Sequence, residues 1–275
     1  MRIIGHERVW ELLQSQIARR ALPHAYLFWG QDMVGKHTIA RACAVLLERN
    51  IFSDDNHILN DCLEIYPNET RTIGIDRIRE LRYFASQKPN VSPYRTVIID
   101  EAHLLTDEAQ NALLKIAEDP PASMFLILIV RDPEILRPTV RSRFQQLYFG
   151  PVPQNETTLW LREALGCTKE AAERAARRSF GAPGRAYASM KDPLFQKSEK
   201  RARMFLSLSP GERRTFLKDL VAEDTFELTQ FLDAILVALY ETPRRDWPML
   251  RRALALRIQA ALYNLNPRLQ LESLC

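Results

Sequence analysis

Cysteine is scarce in this chain, with four among 275 residues. Cys43, Cys62, Cys167 and Cys275 are scattered and form no Cys-x-x-Cys pair. That spacing indicates neither a disulfide framework nor a zinc site. Long apolar runs are missing too: nothing approaches the roughly 20 residues that span a bilayer. The N-terminus carries no signal-peptide pattern. We therefore expect a reduced, cytoplasmic protein with no membrane partner. A dominant charge is also lacking, since 38 Lys and Arg face 34 Asp and Glu for a net +4. The basic excess lies in residues 151–275. It reads either as solvated helix faces or as a surface for DNA or an acidic partner. There is no internal repeat and no low-complexity tract.

The composition is otherwise that of a globular protein, 46% apolar and 26% charged, enough to build a core. The length allows one large domain or two to three small ones. The most informative stretch is 94–149. Thr96-Val97-Ile98-Ile99 is a β-branched run that ends abruptly in Asp100-Glu101-Ala102-His103, as a strand buried on both faces would. Carboxylates at such a strand's C-terminal end lie at the rim where α/β sheets bind ligands. A divalent cation wants hard oxygen ligands there, and a water attacking a phosphate wants a base. Asp100 thus reads as the metal-side acid and Glu101 as the group that orients the water. Thr106 can cap the following helix, with Asp107 and Glu108 in its first turn. Ala109, Ala112, Leu113, Ile116 and Ala117 form its apolar stripe, and Asp119-Pro120-Pro121 stops it. A second buried run spans Met124 to Val130 and ends in Arg131.

Upstream, residues 5–20 read as an amphipathic helix, with Val9, Leu12, Leu13, Gln16 and Ile17 along a stripe. Ala25–Trp29 is a strand that runs into Gly30-Gln31-Asp32-Met33-Val34-Gly35-Lys36-His37-Thr38 and then a helix over 36–49. Strand, glycine loop and helix form the context of a phosphate-binding P-loop. The glycines let backbone amides turn inward, and Lys36 adds a point charge. The pattern wants a hydroxyl directly after the lysine, as a magnesium ligand. His37 holds that place, and Thr38 comes one residue late. The competing reading is a strand–helix turn with no ligand. Residues 50–72 read as a loop-rich insertion, in which His57 and Cys62 are too few for a tetrahedral metal site. Residues 75–87 form a helix.

Beyond residue 150 strand signals vanish and helices follow at about 154–165, 168–179, 184–191, 194–208, 210–222, 225–241 and 247–264. Val152-Pro153 and Pro193 are candidate boundaries. The last helical pattern is still apolar at Cys275, which leads us to expect further residues beyond it. The Gly181-Ala182-Pro183-Gly184 turn places Arg185 near a helix N-terminus, where the dipole disfavours a cation. Either this is an ordinary surface arginine or it faces an anion such as a nucleotide phosphate.

These motifs together resemble the clamp-loader branch of the AAA+ ATPases. The resemblance rests on His24–Phe28, Asp100–Leu105, Asn111-Ala112-Leu113-Leu114-Lys115, Glu118-Asp119-Pro120-Pro121 and Arg141-Ser142-Arg143. It covers roughly residues 1–190, and Tyr263–Leu269 looks like the end of the family's collar domain. It implies an α/β AAA+ P-loop module with a parallel sheet over 1–150, a helical lid over 151–192 and an all-α collar over 193–275. Gly30, Gly35 and Lys36 match the Walker A loop, Asp100 and Glu101 match Walker B, and Arg185 matches the second sensor arginine. Arg143 matches the arginine finger that acts in trans on a neighbour's ATP. A guanidinium suits that task, since it offers charge and a planar fork to a developing phosphate anion.

Three departures stand out. His37 displaces the Walker A hydroxyl, Arg131 replaces a small polar sensor, and the family's four-cysteine zinc module is absent. The first two look like the delta-prime type of subunit, whose own site is degraded. The resemblance therefore implies ATP and magnesium in a degenerate site, with little turnover and no zinc. It further implies as partners the other loader subunits, the sliding clamp, and DNA through the assembled complex. An intact Asp100-Glu101 pair pulls towards the alternative, an active ATPase subunit of the gamma/tau type. Two other readings are weaker. A DEAH-type helicase needs a second motor domain, for which 151–275 offers no strands. A free-standing DNA-binding module would need its basic residues gathered on one face.

Overall fold

The computed structural model describes residues 3–51, 58–223, 226–242, 246–262 and 267–274. His57 and Tyr263–Asn266, singled out above, lie outside the described residues. The chain divides into two compact units, Met1–Ala186 and Tyr187–Cys275.

Among the described residues, the first unit contains five parallel strands: β1 (Ala25–Gly30), β2 (Cys62–Ile65), β3 (Arg95–Ile99), β4 (Met124–Val130) and β5 (Gln145–Phe149). Their spatial order is β2-β3-β4-β1-β5. Five helices lie between or beside them: α1 (Glu7–Ala18), α2 (Lys36–Arg49), α3 (Ile75–Ser86), α4 (Asp107–Glu118) and the single turn α5 (Pro138–Arg141). The side-chain alternation of β1 assigns the two faces of the sheet. Leu27 joins Ile78 and Leu81 of α3 and Leu113 of α4. Tyr26 and Phe28 join Trp10 and Leu13 of α1 and Ile39 and Cys43 of α2. The central strands are apolar on both faces because helices cover both, as parallel sheets require.

The expected helix over 5–20 forms as α1, but its buried residues are Trp10 and Leu13, while Leu12 is exposed. In α4, Thr106 caps the N-terminus by accepting from the Ala109 amide at 3.2 Å. The stretch read as a loop-rich insertion contains β2, which pairs with β3 in the register Cys62↔Thr96 to Ile65↔Ile99. Residues 145–149 also form an unexpected strand, β5, on the far side of β1. After β5 come α6 (Gln154–Leu165), α7 (Lys169–Arg178) and α8 (Pro183–Lys191), and the boundary between the units falls inside α8.

The second unit comprises α9 (Pro193–Ser207), α10 (Pro210–Val221), α11 (Leu228–Glu241), α12 (Trp247–Leu262) and α13 (Pro267–Glu272). Its own core gathers Phe205, Leu217, Leu220, Phe231, Ile235 and Ala253. Arg257 is buried there and donates to Asp233 at 2.6 Å.

Candidate functional site

The site begins where β1 runs out. Gly30 lies between β4 and β5, and its amide donates to the Arg131 carbonyl at 3.2 Å. A Cβ at Gly30 would lie 2.1 Å from the Phe149 carbonyl oxygen, and its φ is +139°. Only glycine fits both demands. The loop then turns through two more left-handed residues, Met33 (φ 61°) and Gly35 (φ 113°), into α2. Such turns aim successive amides into one concavity. Among the described residues, no protein acceptor meets the amides of Val34 and Gly35.

Lys36 is only 6% exposed. Its Nζ donates to the carbonyls of Gly30 at 2.5 Å and Gln31 at 2.7 Å. Burial pulls its pKa down to about 8, opposed by the charges of Asp32 and Asp100 and aided by Arg131. From beneath, buried His6 donates through Nε2 to the Val34 carbonyl at 3.1 Å, with its ring edge-on to Phe149 at 4.9 Å. Burial lowers its pKa, consistent with a neutral imidazole.

His37, at the hydroxyl position, is engaged elsewhere. Its Nε2 lies 3.0 Å from Glu64 Oε2 and 2.9 Å from the Tyr66 hydroxyl. Glu64 also accepts from Arg41 and from Tyr66. Desolvation lowers the His37 pKa, while Asp100 raises it and Arg41 lowers it. Thr38 is half-buried one residue further on, about 100° around the helix from His37.

Asp100 directly follows β3, and its Oδ1 accepts from the Glu101 amide at 2.9 Å. Glu101 is exposed, with a left-handed φ of 47°. Strand order brings the ends of β3, β4 and β1 side by side. Asp100, Arg131 and Gly30 therefore share one rim. Arg131 forms an ion pair with Asp32, in the middle of the glycine loop. Gly184, at the start of α8, donates to the Met33 carbonyl at 2.9 Å. That bond sets Arg185 beside the loop, where it is half-buried.

Arg143 stands apart from this group. It follows α5 and donates to Glu118 at the end of α4 at 3.2 Å, with the two side chains 51% and 46% exposed. The structure thus gathers Gly30, Gly35, Lys36, His37, Asp100 and Arg185 at one rim and puts Arg143 on an open surface. Sequence reasoning missed His6, Asp32, Glu64 and Tyr66. Only Asp32 carried any signal, as a carboxylate inside the glycine loop. Among the described residues, no group of three or more His, Cys, Asp or Glu is arranged to hold a metal ion. No helix among them is long and apolar enough to cross a membrane.

The family described as DNA polymerase III, delta subunit, matches residues 5–153. The delta' subunit of Escherichia coli DNA polymerase III is 37% identical over 132 residues, covering 48% of this chain and 38% of that protein. The gamma/tau subunit of Mycobacterium tuberculosis is 34% identical over 164 residues, covering 55% of this chain and 28% of that protein. The matches thus span less than two fifths of these relatives' lengths. Among solved structures, a gamma subunit-related protein from Thermotoga maritima superposes with a TM-score of 0.55 at 18% identity, covering 95% of this chain and 96% of that one. A RuvB variant from the same organism gives 0.54 at 19% identity, covering 97% and 87%. At those identities the structural likeness speaks for the fold alone.

Proposed function

The chain belongs to the DNA polymerase III delta subunit family of clamp-loader subunits, and from that premise we propose that it serves as a delta-prime-type subunit. In this reading it is largely structural. The α/β module over 1–150 is followed by a lid over 151–192 and a collar over 193–275 that joins related subunits in a ring. Arg143 completes a neighbour's ATP site, and that neighbour's ATP drives opening of a sliding clamp on primed DNA in the cytoplasm.

The observation that carries the reading is the contrast between two cationic positions. Among the described residues, Arg143 is held by one half-exposed carboxylate, Glu118, so a sister subunit's triphosphate can recruit it at small cost. The chain's own loop, by contrast, has an imidazole in place of the hydroxyl and an arginine–aspartate pair at its rim. A loader reconstituted with Arg143→Ala tests the proposal. The neighbour's ATPase should fall on the order of a thousandfold at that site, the scale of an arginine finger, and clamp loading should fall with it. Unchanged ATPase and loading would remove the finger role.

The gamma/tau relatives and the Asp100-Glu101 pair favour a second reading, an ATPase subunit in its own right. That reading requires micromolar Mg-ATP binding and turnover by the isolated chain. Calorimetry without measurable heat on adding Mg-ATP excludes it.

A further inference from the structure

We propose that the glycine loop takes a nucleoside diphosphate without a divalent metal, the Asp32–Arg131 ion pair standing where a third phosphate and its ion would lie. The inference rests on reading the loop as a phosphate site. The Gly30 amide bonded to the Arg131 carbonyl fixes the end of β4 against the start of the loop. From there the Arg131 guanidinium reaches Asp32. Lys36 lies on the loop side of this pair, and Asp100, at the end of neighbouring β3, lies on the other. In a working P-loop the terminal phosphate and its magnesium fill the space between the lysine and the acidic strand end.

Asp32 meets an incoming third phosphate with a like charge at close range, and like charges juxtaposed in this way disfavour binding. Relieving that repulsion means giving up the pair with Arg131. A diphosphate reaches only the inner part of the loop, where unclaimed amides, the α2 N-terminus and Lys36 favour it. Arg185, set beside the loop by the Gly184–Met33 bond, adds positive charge on the lid side.

Magnesium demands oxygen ligands in a near-octahedral arrangement. The hydroxyl position is the imidazole of His37, tied to Glu64 and Tyr66. Glu64 is occupied by Arg41, and the neighbouring strand end presents the cation of Arg131. These residues do not fit magnesium.

Calorimetric titration of the full chain with ADP and with ATP, each in magnesium and in EDTA, tests the proposal. ADP should bind with an affinity that EDTA changes by less than about twofold, and ATP should bind at least about tenfold more weakly. Asp32→Ala should raise ATP affinity about tenfold more than it raises ADP affinity, and Lys36→Ala should abolish the ADP heat. Magnesium-dependent ADP binding, ATP binding as tight as ADP, or no heat with either nucleotide would each overturn it. Absence of binding would leave the trans role of Arg143 standing, because that role is read at the neighbour's site. Failure of the Arg143 test, in turn, would not move the ADP titration.

Discussion

The imidazole of His37 lies 3.0 Å from the carboxylate of Glu64, 27 residues further along the chain. The contact exists because β2 adds to the edge of β3 and so carries Glu64 over the start of α2. It fixes the orientation of the residue that stands in the hydroxyl position.

Burial lowers the pKa of three histidines around the loop, His6, His37 and His103, from the ordinary value of 6.5. The unfolded chain therefore binds protons that the folded chain refuses. The histidines' contribution to stability is complete above pH 6.5 and is lost as pH falls from 6.5 towards the depressed folded values. Urea unfolding of the full chain at pH 8 and pH 5.5 should show a lower midpoint at the acid pH. Replacing His6 with Gln should flatten part of that slope. An unchanged midpoint across the range would contradict the burial of these rings.

Asp61 carries a second, more acid-stable contribution. It is 1% exposed, and it accepts from the amides of Asn90, Val91 and Ser92 at 2.6–3.0 Å. Arg95, itself buried over the Phe84 ring, lies 3.0 Å from it. Burial alone raises the Asp61 pKa, but the three amides and Arg95 outweigh it, and the net shift is downward from 3.8. This contribution is present above pH 3.8 and lost as pH falls below it. Asp61→Ala strands the Arg95 charge and the amides, at a cost of about 3–5 kcal/mol. Asp61→Asn should cost less, because one amide oxygen still accepts. Chemical denaturation of the two variants checks the order.

Gly30→Ala is expected to destabilise by about 3 kcal/mol, since the new methyl overlaps the Phe149 carbonyl and the residue must also hold a positive φ. The clash at 2.1 Å is with backbone of a neighbouring strand, so no rotamer relieves it. The measurement is the thermal midpoint, alongside loss of any nucleotide heat.

The central strands were legible because their burial is two-sided. Val97-Ile98-Ile99 and the run from Met124 to Val130 are buried throughout, and such runs announce themselves without alternation. The two edge strands were not. β5 reads Gln-Gln-Leu-Tyr-Phe, and only Leu147 and Phe149 are buried; β2 has four residues, of which only Ile65 is fully buried. A short strand with one solvated face looks like a loop. The same limit hid half of the site. Lys36 belongs to a local motif, and its place follows from spacing. Glu64 reaches His37 only through the pairing of β2, and Asp32 meets Arg131 across a separation of 99 residues. No local pattern encodes a contact that sheet order creates.

The same distinction decides how Arg143 should behave. Its pair with Glu118 is half-exposed on both sides, and pairs of that kind contribute about 0–1 kcal/mol. Arg143→Ala should therefore unfold within about 0.5 kcal/mol of the parent in urea, and Glu118→Gln should do the same. A buried structural arginine behaves otherwise: Arg257, held by Asp233 at 2.6 Å in the second unit's core, should cost about 3–5 kcal/mol on truncation to Ala. If Arg143→Ala proves as costly as Arg257→Ala, the guanidinium is part of its own module's scaffold and cannot be spared for a neighbour. If it is neutral in isolation and costly only in the assembled loader, Arg143 acts between subunits.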